Sequence, residues 1–183
     1  MFFSTGNSGP GTYDGVRNIQ ESVVKVDPTL VNLLSIFTPS DENDLDDLDY
    51  DVGSGGVLVV PAQPGPFRHL AVAAGKEGTM YLLNRPNLGG FSGAAGPDYV
   101  LDEETIGQCW CGPSYFTGPD GIGRVVSSGG STTTSNSAEI IVWEIQTSPT
   151  VAFVPEGAAA PVASGQDGGT FTTVSSNGTQ AGT

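Results

Sequence analysis

The stretch His69-Leu70-Ala71-Val72-Ala73-Ala74-Gly75-Lys76-Glu77-Gly78-Thr79-Met80-Tyr81-Leu82-Leu83-Asn84 decides the fold class. Two short apolar runs, each the length of a strand and too short for an ordinary helix, flank Lys76-Glu77-Gly78, a polar turn with the glycine a tight reversal wants. This is a β-hairpin. The same signal lies on either side of it. Upstream, Glu21–Asp27 and Leu30–Thr38 are joined by Asp27-Pro28-Thr29, a turn sequence. Between the hairpins, Gly55–Pro61 is an apolar run bounded by glycine and proline, the signature of a buried strand. Tyr99–Ile106 supplies a fourth piece. Downstream the order recurs as Ser114–Thr117, Arg124–Ser128, a Gly/Ser/Thr-rich loop at 129–137, Glu139–Gln146 and Thr150–Pro155. Phe171–Ser175 then reads as the first strand of another unit.

The return strands Ser22–Asp27, Met80–Asn84 and Ile141–Ile145 recur at roughly 60 residues, with about four strands in each period. That spacing favours the blades of a β-propeller over a sandwich. The expectation is an all-β chain of about three four-stranded antiparallel blades, an incomplete eight-bladed propeller. The divisions fall near 1–54, 55–112 and 113–168, with a further blade starting at 169–183. Tyr81 and Trp143 occupy equivalent places in successive repeats, as expected of residues wedged between blades. A blade cannot cover both of its faces alone, so about three blades leave two open flanks that call for neighbours.

Composition agrees and narrows the function. The chain has 183 residues with 27 Gly and 13 Pro, which punctuate it too often for long helices. Six Lys and Arg stand against twenty Asp and Glu, a formal charge of −14, so the long-range field repels phosphate backbones. Nucleic acid is excluded as a partner on this ground. No run of about 18 apolar residues occurs, so no membrane span is expected. Met1-Phe2-Phe3-Ser4 lacks the charged start and long apolar stretch of a signal peptide. Cys109 and Cys111 are the only cysteines. A bridge across one intervening residue is geometrically unusual, and the pair reads as two partly buried thiols at a strand edge.

Three segments carry a family likeness. Phe3-Ser4-Thr5-Gly6-Asn7-Ser8-Gly9-Pro10-Gly11, the hairpin Val23-Val24-Lys25-Val26-Asp27-Pro28 with Leu34-Ser35-Ile36-Phe37-Thr38-Pro39, and Ala73–Arg85 resemble, in that order, segments of the pyrroloquinoline-quinone (PQQ) type propellers. That family includes quinoprotein alcohol dehydrogenases and secreted propellers with no known chemistry. The resemblance implies a periplasmic or extracellular parent protein. In its dehydrogenases calcium holds the quinone and a carboxylate takes the alcohol proton. Asn7 matches the family's metal-binding asparagine, Asp49 stands at the place of the catalytic aspartate and shares the metal, and Lys76 matches the basic residue that contacts the quinone. The remaining parts of that site have no counterpart among these residues, so no cofactor is expected on this chain alone. PQQ and calcium are expectations for a full-length protein only.

The acidic run Asp41, Glu42, Asp44, Asp46, Asp47, Asp49 and Asp51 has two readings: an irregular calcium loop, or a solvated loop kept extended by its like charges. An EF-hand is excluded, because Gly53 comes one residue late and Leu58 stands where a glutamate is needed. His69 is the sole histidine, at the entry to a strand, so no histidine-rich zinc site can form. The expected role is therefore a structural or binding module without activity of its own, its partners the remaining blades or another protein. The alternative is a segment of a calcium- and PQQ-dependent alcohol or sugar dehydrogenase.

Overall fold

A computed structural model describes residues 1–8, 13–94, 96–130, 139–158, 168–177 and 180. The chain is all-β, with three antiparallel sheets and little helix. The first sheet holds β1 (Phe2–Ser4), β2 (Val23–Val26) and β3 (Leu33–Phe37) in that order. The second holds β4 (Val57–Val59), β5 (Leu70–Ala74), β6 (Thr79–Asn84) and β7 (Asp102–Thr105). The third holds β8 (Ser114–Thr117), β9 (Gly123–Gly129), β10 (Glu139–Gln146) and β11 (Ala152–Ala158). Each sheet is a meander in which chain neighbours are sheet neighbours, so every connection is local.

Alternation along the strands fixes how the sheets stack, because successive side chains leave a strand on opposite faces. On β5, Leu70, Val72 and Ala74 enter the core shared with the third sheet, while Ala71 and Ala73 enter the core shared with the first. On β6, Met80 and Leu82 take the former side and Tyr81 and Leu83 the latter. The middle sheet is therefore covered on both faces, which explains why both strands read as continuous apolar runs rather than as alternating ones. Tyr81 stacks edge-on against Phe37 of the first sheet at 5.0 Å between ring centres. Trp143 of the third sheet packs toward the second and donates its indole N–H to Ser127 Oγ at 2.8 Å. The two aromatic residues thus make the same move one sheet apart: each points back at the sheet before it.

Glycines let the sheets approach at one end. A Cβ on Gly129, the last residue of β9, would sit 1.6 Å from the carbonyl oxygen of Ile106, which follows β7. Gly78 takes φ +103° in the β5–β6 turn with the backbone of Gly107 against it. Glu21, two residues before β2, also has a positive φ, +45°, a conformation that costs a side-chain-bearing residue energy.

Three expectations are corrected. The acidic stretch is not an extended loop: Glu42–Leu48 forms a helix, α1, and Val52–Gly55 a turn of 3-10 helix. Apolar anchoring outweighs charge repulsion there, since Leu45 and Val52 are buried at 2 % exposure each and Glu42 is buried with its carboxylate accepting from Gln20 Nε2 at 2.8 Å. Glu42 and Asp44 also lie in the first turn, where the helix dipole favours anions. Cys109 and Cys111 are joined in a disulfide. A bend at Trp110 brings their Cα atoms to 4.7 Å, within bridging range. Phe171–Ser175 is not a strand: Phe171 makes a single parallel bridge to Gly112, and Thr170 and Thr172 hydroxyls bond Ser128 and Ser114 on the outer face of the third sheet. Residues 131–137 of the expected loop lie outside the described residues.

Candidate functional site

Asn7, Asp49 and Lys76, far apart in sequence, meet at one end of the first and second sheets. Asn7 follows β1, Asp49 closes α1 in the left-handed conformation at φ +61°, and Lys76 sits in the β5–β6 turn. Lys76 Nζ bonds Asp49 Oδ2 at 3.0 Å and pairs with the Asp51 carboxylate. The backbone N–H of Asn7 donates to Asp51 Oδ1 at 2.8 Å, and its side-chain amide donates to the carbonyl of Asp46 at 2.7 Å. Asp51 thus receives a cation on one oxygen and a backbone N–H on the other. Burial works to raise its pKa, but the Lys76 and Asn7 hydrogen bonds prevail and hold it below the ordinary carboxylate value. Hydrogen bonds and charge from Asp51 first, and then Asp49, raise the pKa of Lys76 against the opposing effect of burial.

Two further residues complete the surroundings. Lys76 Nζ lies 5.9 Å from the ring centre of Trp110, between the bridged cysteines, a cation–π distance. The Cys109 N–H bonds Gly75 O at 3.2 Å and its carbonyl accepts from Ser54 Oγ at 2.5 Å, which fixes the Cys-Trp-Cys turn beside the hairpin. Beneath them Glu21 is fully buried, with Oε2 accepting the Val52 N–H at 2.6 Å and Oε1 without a partner. Desolvation, with Asp51 and Asp46 nearby, pushes its pKa up to about 7. Asp51, Trp110 and Glu21 carry no motif that marks them in sequence. Only the acidity of the Asp41–Asp51 run hinted at Asp51.

The donor set does not suit a calcium ion on this chain's residues alone. Among the described residues no three His, Cys, Asp or Glu side chains converge to hold a metal, and the Lys76 ammonium occupies the space between Asp49 and Asp51. A hard cation needs six to eight oxygens, and an ammonium among them opposes it. What the arrangement does is neutralise and position: a half-buried ammonium is held between two carboxylates over an aromatic face. Replacing Lys76 by Gln is expected to lower stability by about 1–2 kcal/mol near neutral pH, since Asp51 loses its counter-charge. The loss should shrink in acid as Asp51 protonates, and denaturant titrations at two pH values measure it.

No family model, curated protein or solved structure matches this chain. No helix of the described residues is long and apolar enough to cross a membrane.

Proposed function

We propose that the chain comprises three consecutive blades of a PQQ-type β-propeller and serves as a structural and binding module, without activity of its own. The observation that carries this reading is the unequal burial of the three sheets. The two central strands of the middle sheet, β5 and β6, are covered on both sides, with exposure of an apolar residue confined to Val59 on its edge strand β4, whereas the outer two sheets turn apolar residues to solvent on one face. Phe3 is 40 % exposed and Leu34 55 % exposed on the face of the first sheet turned away from the second. Val154 on the far face of the third sheet is 37 % exposed. Such flanks fit the remaining blades of a ring, or another protein that stands in for them.

The test is the solution state of the chain. Light scattering is expected to find oligomers or aggregates, and Leu34→Lys with Val154→Lys should shift the population toward monomer by placing charge on the flanks. A monodisperse monomer with a sharp, reversible unfolding transition would overturn the reading.

The meeting of Asn7, Asp49 and Lys76 favours a second reading, a segment of a calcium- and PQQ-dependent dehydrogenase whose other site residues come from elsewhere in a longer protein. Reconstituting that full-length protein with PQQ and calcium tests it. Dye reduction with an alcohol or sugar supports it, and none with any such substrate removes it.

A further inference from the structure

The few cations of this acidic chain are unequally used. Of its six Lys and Arg, Lys76 and Arg124 are each held by two carboxylates. Lys25 and Arg85 have no carboxylate within ion-pair distance among the described residues, and they stand together. Strand alternation brings this about. Ala71 and Leu83 enter the core shared with the first sheet, so His69, two residues before the one, and Arg85, two after the other, leave the hairpin toward the first sheet as well. They face each other, the Arg85 N–H bonding His69 O at 2.8 Å. Lys25 stands two residues beyond Val23, which enters the same core from β2. Its Nζ spans the opening between the sheets to donate to the Arg85 carbonyl at 3.0 Å, and lies 6.0 Å from the centre of the Phe2 ring. The Arg85 guanidinium donates through Nη2 to His69 Nδ1 at 3.3 Å, so that nitrogen accepts and Nε2 carries the ring proton. The second observation concerns Arg85 itself, whose Nε is buried and has no hydrogen-bond partner. A guanidinium that has lost part of its water, beside an ammonium of like charge, lacks the counter-charge that a desolvated cation ordinarily finds. Asp27, the carboxylate nearest to Lys25 in sequence, does not supply it, because Thr29, Val31 and Asn32 hold its two oxygens.

We propose that Lys25, His69 and Arg85, at the opening between the first and second sheets, form a binding site for an organic carboxylate. The group that is missing is an anion with several acceptor sites. A carboxylate matches the planar guanidinium with two oxygens and keeps lone pairs for the Lys25 ammonium and the His69 Nε2–H. Charge decides between a carboxylate and a phosphate. Two cations could neutralise either, but the field of a chain with net charge −14 repels a phosphate dianion about twice as strongly as a monoanion. The site shares no residue with the Lys76 cluster, since His69 and Arg85 lie at the ends of β5 and β6 away from their connecting turn. It also stands whether or not the chain belongs to a propeller. A free organic acid and the acidic side chain of a partner protein both present this chemistry.

The experiment is saturation-transfer NMR on the whole chain with butyrate and with Nα-acetyl-glutamate α-amide, using inorganic phosphate as competitor at matched ionic strength. Saturable binding of a carboxylate is expected. Lys25→Gln and Arg85→Gln should each raise its Kd about three- to tenfold, with urea midpoints confirming that both variants fold. Arg68→Gln removes the same unit charge beside His69, but alternation sends that side chain to the opposite face of the hairpin, so the Kd should stay within about twofold of the parent value. Tighter binding of butyrate assigns the site to a free acid, and equal or tighter binding of the glutamate derivative assigns it to a partner's side chain. Absence of saturable carboxylate binding, indifference to both Lys25→Gln and Arg85→Gln, an equal loss with Arg68→Gln, or displacement by phosphate below the carboxylate's own Kd would overturn the proposal.

Discussion

Leu82→Ala and Leu83→Ala are each expected to cost the fold about 2–5 kcal/mol, although they are neighbours on one strand. Both side chains are fully buried, Leu82 in the core shared with the third sheet and Leu83 in the core shared with the first. A sheet with one wet face would lose little at one of the two positions, since truncating an exposed leucine there leaves no cavity. Here both cavities open inside packed layers. With domain stabilities of about 5–15 kcal/mol, either change removes a large share of what holds the chain folded. Urea titration of the two variants checks this, and a loss below about 0.5 kcal/mol at either site would mean that face is not packed.

Glu21→Gln should act in the opposite direction and only above mildly acidic pH. The Glu21 carboxyl has its pKa raised from 4.5 to about 7 in the folded chain. The folded state therefore holds a proton that the unfolded state releases. The stability this proton represents is complete below pH 4.5 and is lost as pH rises through about 7. The shift corresponds to roughly 3 kcal/mol at pH 8. Glutamine keeps an oxygen for the Val52 N–H and carries no charge to desolvate, so Glu21→Gln is expected to stabilise the chain by up to about 3 kcal/mol at pH 8 and hardly at all at pH 4. Thermal or urea unfolding at both values measures the difference. A gain independent of pH would show that Glu21 does not titrate in this range, and a net loss at pH 8 would show that its charge is compensated.

Much of the fold was legible because the strands obey simple rules. Leu70–Ala74 and Thr79–Asn84 form where continuous apolar runs meet a glycine turn, and both runs are continuous because both faces are covered. The Asp27-Pro28-Thr29 turn closes as its residues suggest, with the Asp27 carboxylate accepting the Thr29 and Val31 N–H groups at 3.0 and 3.1 Å. What failed did so where a distant contact outweighs the local signal. Seven acidic residues between 41 and 51 argue for an extended loop, but Leu45 and Val52 bury themselves and wind the chain around those two anchors. Spacing alone argues against a bridge between Cys109 and Cys111, but the bend at Trp110 supplies the missing approach. Phe171 looks like the start of a strand, yet its segment is bound by threonine hydroxyls across the third sheet instead.

The candidate site divides in the same way. Asn7, Asp49 and Lys76 were marked by residue type within a family pattern, and they lie together. Asp51, which joins Lys76 to Asn7, and Trp110, which lies beside the ammonium, belong to the site through tertiary contacts alone.

Residue-resolved amide hydrogen exchange on the intact chain is the most direct probe of a middle sheet covered on both faces. The amides of Leu70–Ala74 and Thr79–Asn84 should be the slowest to exchange, ahead of the strands of either outer sheet. Slowest exchange in Phe2–Ser4 and Val23–Phe37, or in Ser114–Gly129, with Leu70–Asn84 exchanging faster, would contradict it.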